Sequence, residues 1–131
     1  MKTMLEMYEE NSTAFENSKF STSDGDSWTA PYLYKKVKEL GLEPESVTLR
    51  HLDLSGFPWQ DGSIRSMDIF LYHSVRIKNA DYKIPIIMRE DGGIMDGWHR
   101  IAKAILDGEE TILAYRFESY IEPNETNEVV K

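Results

Sequence analysis

Apolar residues return along this chain in distinct rhythms, and each rhythm predicts an element. Leu33, Val37 and Leu40 recur at helical spacing, with Tyr34 beside them and Lys35, Lys36 and Lys38 on the watered side. A helix over 30–41 follows, capped by Thr29, with Pro31 in its first turn and Gly41 as its stop. Residues 47–54 alternate instead. Val47, Leu49, His51 and Asp53 share one side, and Thr48, Arg50, Leu52 and Leu54 the other, as in a half-buried strand. The stretch 66–80 fits two rhythms. Met67, Phe70, Leu71, Ser74 and Ile77 suit a helix capped by Ser66, while Ile69, Leu71, Val75 and Ile77 suit a strand; its length decides for the helix. Residues 84–89 form a continuous apolar run, the mark of a buried strand. Asp91-Gly92 signals a hairpin, leading through Gly93 to a short strand at Ile94-Met95. Asp96 is then placed to cap a helix whose apolar face is Trp98, Ile101, Ala102 and Ile105, ended by Gly108. Residues 111–117 make the last strand. These elements describe an α+β domain, a small mixed sheet of about four strands with packed helices.

The flanks read differently. Met1, Met4, Leu5 and Tyr8 share one face of a short Met-rich helix, and 11–27 is polar and irregular. A loop over 57–63 follows the first strand of the domain, anchored by Trp59. The expected organisation is an N-terminal extension over 1–27, one domain over 28–120 and an acidic flexible tail over 121–131. Charge follows the same division: the net −8 is made up of −4 in 1–27, −2 in 28–120 and −2 in 121–131. With no basic run to neutralise phosphates, duplex nucleic acid is disfavoured as a partner, whereas the acidic ends suit a basic protein. The chain has no cysteine, which excludes disulfides, thiolate metal sites and a cysteine nucleophile. No apolar run approaches the roughly 18 residues of a membrane span, and the first ten residues lack the apolar core of a secretory signal, so a cytoplasmic protein is expected.

The chemistry concentrates at Asp96-Gly97-Trp98-His99-Arg100, where a helix is expected to open. Backbone N–H groups at a helix start have no internal partner, and the macrodipole adds about half a positive charge there. Gly97 removes side-chain bulk from that start, and His99 and Arg100 add donors, the guanidinium as a planar fork matched to phosphate or carboxylate. A fixed cation in a first turn opposes the dipole by about 0.3–1 kcal/mol, so an anion belongs nearby. That anion is either a bound ligand or an internal carboxylate such as Asp96, Asp53 or Asp91. His51, His73 and His99 lie far apart in the sequence and match no zinc spacing, so no protein-held metal is expected.

The residues that build this helix start also carry a family resemblance. The run IPIIMREDGGIMDGWHRIAKAILDGEETILAYRF, residues 84–117, resembles the core of the ParB/sulfiredoxin superfamily. Pro85-Ile86, Asp91-Gly92, Gly97-x-His99-Arg100 and Ala102 match its pattern in order. More weakly, VTLRHLDL at 47–54 resembles the first family strand, and the region of Arg65 the polar segment before the family helix. The resemblance implies a ParB/sulfiredoxin-like fold and a pocket for nucleotide phosphates formed by Gly97, Trp98, His99, Arg100 and Arg65. Among family activities, sulfinic acid reduction needs a cysteine where this chain has Trp98. Partition clamps need a helix-turn-helix and a dimerisation tail, for which the residues after Tyr120 are too few. A nucleotide phosphate-binding domain, binding ATP or CTP and engaged in phosphotransfer or related phosphate-ester chemistry, is the leading expectation. Asp53, Asp96 and His99 are its candidate catalytic groups, and Mg²⁺ would arrive with the nucleotide. The alternatives are a non-catalytic acidic protein that binds a basic partner and, third, a Mg²⁺-dependent nuclease.

Overall fold

The computed structural model describes residues 19–22, 24–55 and 66–125. Strands β1 (Lys19–Ser21) and β2 (Ser27–Thr29) pair antiparallel, and helix α1 (Ala30–Glu39) leaves directly from β2. Strand β3 (Glu45–Thr48) follows, then a single 3₁₀ turn over Leu49–His51 and helix α2 (Met67–Lys78). Strands β4 (Ile86–Met88) and β5 (Ile94–Asp96) form a hairpin, helix α3 (Trp98–Leu106) crosses over, and β6 (Thr111–Arg116) closes the order. The main sheet runs β3-β6-β4-β5, antiparallel except for the β4–β6 pair at its centre. This is a small α+β fold with a four-stranded mixed sheet, as the apolar rhythms predict.

Alternation along the strands sorts the core into two layers. Ile86, Met88, Ile94, Ile112 and Ala114 face Ile101 and Ala104 of α3. Ile87 and Met95 face the other way, onto Trp28, Leu33, Val37 and Phe117. Helix α1 therefore covers one face of the sheet and α3 the other.

Several local expectations are corrected, each for an identifiable reason. The strand expected over 47–54 ends at Thr48, because its partner β6 begins opposite it at Thr111. Without a ladder to extend, the chain turns and drops Leu49 into the core, with the Leu49 N–H donating to the Glu110 carbonyl. Thr29 stands at the N-cap of α1 but does not cap it with its side chain. Asn124 instead clasps Thr29 twice, accepting from its N–H and donating to its hydroxyl, both at 3.0 Å.

The same clasp shows that parts of the expected extension and tail belong to the folded body. Trp28 Nε1 donates to the Ile121 carbonyl, Tyr32 to the Glu122 carbonyl, and Ser27 and Glu125 exchange backbone bonds. The Met-rich turn at 1–8, the loop at 57–63 with Trp59, and Arg65 lie outside the described residues. Among the described residues no helix is long and apolar enough to cross a membrane.

Candidate functional site

The Gly97–Arg100 segment opens α3 as expected, yet its parts are spent differently. Asp96 is not the cap. It is the last residue of β5, paired with Ile87, and Gly97 takes the N-cap position at φ 116°. A left-handed conformation of this kind is open to glycine at little cost. The space that glycine frees is filled from inside the protein: a Cβ at position 97 would lie 2.4 Å from Ile86 Cγ2. Gly97 thus lets α3 sit close on β4, rather than opening a path for an anion.

Arg100 finds its counter-charge within the chain. Its Nη2 lies 2.6 Å from Asp96 Oδ2, with the two side chains only 14% and 17% exposed. Nη1 donates to the Tyr34 hydroxyl at 2.9 Å, the Pro85 carbonyl at 2.8 Å and the Ile84 carbonyl at 3.1 Å. Tyr34 in turn donates to Pro85, and burial pushes its hydroxyl up to about 12, against the pull of the Arg100 charge. One guanidinium therefore ties α3 to α1 and to the approach of β4. Of the two origins open for the anion facing Arg100, the internal carboxylate is the one present, and it is Asp96.

His99 points into a different seam. Its Nε2 lies 2.9 Å from Nδ1 of His73 on α2, with the rings nearly parallel at 16° and their centroids 5.2 Å apart. His73 is 3% exposed, one of two buried polar residues among those described. Burial, then the charge of Arg76, then His73 and Arg100, hold His99 down at about 3, so it is neutral at ordinary pH. Arg76 rests its guanidinium 5.8 Å from the Tyr72 ring centroid, and Tyr72 meets His73 edge-on. Among the described residues Arg76 has no carboxylate partner within ion-pair distance.

Sequence reasoning missed His73 and Arg76. The signal was a polar pair at i, i+3 following Ile69, but the stripe of Met67, Phe70 and Leu71 obscured it. In the structure that stripe is turned outward, with Met67 66% and Phe70 48% exposed. The face of α3 is shifted in the same way: Ile101 and Ala104 are buried, whereas Ile105 is exposed and Trp98 half-buried against the α3-side core.

Asp53 stands elsewhere. It is exposed and accepts from both the N–H and the hydroxyl of Ser55, bonds that hold its carboxyl below the usual range. With His51, Asp91 and Arg116 it lines an open cleft of about 580 Å³ between the end of β3 and the β4–β5 hairpin. Neither His99 nor Arg100 borders that cleft. The candidate catalytic groups Asp53, Asp96 and His99 are thus committed to three separate sets of partners. Among the described residues no three His, Cys, Asp or Glu side chains converge as a metal-holding group. No family model matches this chain, and no curated protein or solved structure is significantly similar to it.

Proposed function

We propose that this domain binds a nucleotide, or another phosphorylated small molecule, at the corner where α2 meets the start of α3. The observation that carries the reading is the convergence on His99 of Arg76, which lacks a carboxylate partner among the described residues, with an N-terminus of α3 that has no side-chain cap and no acidic residue in its first turn. Arg76 and the helix start both favour negative charge at this corner, and phosphate oxygens answer a guanidinium and unpaired helix-start N–H groups alike. The resemblance of Gly97-x-His99-Arg100 to the ParB/sulfiredoxin pattern favours the same place and a nucleotide as the ligand. In this reading Arg76 supplies the cationic contact and Arg100 is the anchor of the helix that presents the amides. Mg²⁺ would enter as part of the nucleotide.

Thermal unfolding with ATP, ADP or CTP and Mg²⁺ tests the reading. Ligand at 100 times its dissociation constant should add about 2.7 kcal/mol, and Arg76→Ala should abolish the gain without lowering the stability of the free protein by more than about 0.5 kcal/mol. An unfolding temperature indifferent to every millimolar nucleotide and to inorganic phosphate removes the proposal.

A further inference from the structure

We propose that the outer face of α2 is a self-docking surface, on which a second copy of this chain lays its own α2 antiparallel to form a weak, reversible dimer. That face is turned away from the contact with α3, so the inference does not depend on the ligand reading.

Helix α2 shows its more apolar side to water. Helix α1 buries Ala30, Leu33 and Val37, but the one buried residue of α2 is His73, while Met67, Phe70 and Leu71 are exposed. Met67, Leu71, Ser74 and Lys78 recur at spacings of four, three and four, the a and d positions of a heptad. A stripe with this spacing runs along the helix and can meet a facing helix in one seam. Phe70 flanks it. Ser74 donates its hydroxyl to the Phe70 carbonyl of its own helix at 2.7 Å, so covering it strands no donor.

The charges along the helix select a second copy as the occupant and antiparallel as its direction. Asp68 stands in the first turn and Lys78 in the last, both exposed. Among the described residues neither has an oppositely charged partner within ion-pair distance. A two-fold axis midway between Leu71 and Ser74 lays Leu71 of each copy on Ser74 of the other, and Met67 on Lys78. The Lys78 stem then covers Met67 while its ammonium reaches Asp68 of the other copy, twice by symmetry. Opposed helix directions also set each macrodipole end against its complement. Copies of a chain with net charge −8 repel one another, but α2, with Asp68 against Arg76 and Lys78, is free of that acidic excess. Its 12 residues give only about 18 Å of seam, less than a standard interface needs, so the association is weak.

Sedimentation equilibrium of the full chain should show monomer and dimer exchanging, with a dissociation constant between about 10 µM and about 1 mM. Leu71→Glu, a change at an exposed position, should weaken the dimer by about tenfold or more. Asp68→Lys and Lys78→Asp should each weaken it by about tenfold, and their equimolar mixture should regain the natural affinity, because only the mixed pair matches every charge. A chain that stays monomeric throughout that range overturns the proposal. So does a dimer indifferent to Leu71→Glu, or a mixture no tighter than its components. Amide shifts of the unmodified protein on dilution give a second check that needs no variant. They should centre on α2 and spare β4 and β6, and shifts centred elsewhere also overturn it.

Discussion

His99 and Arg100 are adjacent in the chain, yet they are buried by opposite strategies. Arg100 enters its seam as a permanent cation and is met by a carboxylate, a phenol and two carbonyls. His99 enters its seam as a neutral ring and is met by a second imidazole, with the charges of Arg76 and Arg100 repelling its proton. A group that cannot lose its charge must bring partners when it leaves water, whereas a titratable group can discard its charge instead. The first seam should be indifferent to moderate acid, and the second should not.

The strongest way to break this contrast is Asp96→Ala. It would leave Arg100 shielded from water without a carboxylate, and a loss of about 3–5 kcal/mol is expected in denaturant unfolding. A loss below about 1 kcal/mol would show that the guanidinium is hydrated and is not an anchor.

Acid sharpens the other half. Because His99 is held below its ordinary value in the fold, the unfolded chain binds the extra proton first as pH drops below 6.5. Stability from this group is therefore complete above pH 6.5 and declines toward about 3, by up to about 1.4 kcal/mol per pH unit. The difference in unfolding free energy between the natural protein and His99→Gln, followed from pH 7 to pH 4, isolates that slope from the carboxylates. A difference independent of pH would place both seams in one class.

Tyr34→Phe removes the phenol that links Arg100 to Pro85. It should cost about 1–2 kcal/mol by the same denaturant measurement, with no change in pH dependence above pH 5. Ser66→Ala removes the hydroxyl that accepts from Ile69 N at 3.3 Å and caps α2. About 1 kcal/mol or less is expected, felt as lower hydrogen-exchange protection in the first turn of α2.

The hairpin, the helices and the central strands could be read from the chain because their signals are local. Asp91-Gly92 closes β4 onto β5, Ser66 caps α2, and an unbroken apolar run marks a strand buried on both faces. The helix start at Gly97 was legible too, since the apolar stripe of Trp98, Ile101 and Ala102 begins directly after it. The roles within it were not. Asp96 and Arg100 stand four apart, and the spacing allows an ion pair but does not say whether water or a ligand wins. Ile86 occupies the space in front of Gly97 through a strand contact that no local pattern encodes.

His73 shows the limit most sharply, because 26 positions separate it from His99. Periodicity along a helix reports which residues share a side but not which side meets the protein. For α2, the more hydrophobic stripe turned outward and the imidazole turned in. Element type and order follow from short-range sterics and hydrogen bonding, which each segment carries with it. Helix facing and pairing partners are collective properties, settled by how α2 and α3 seat against one another and against the sheet.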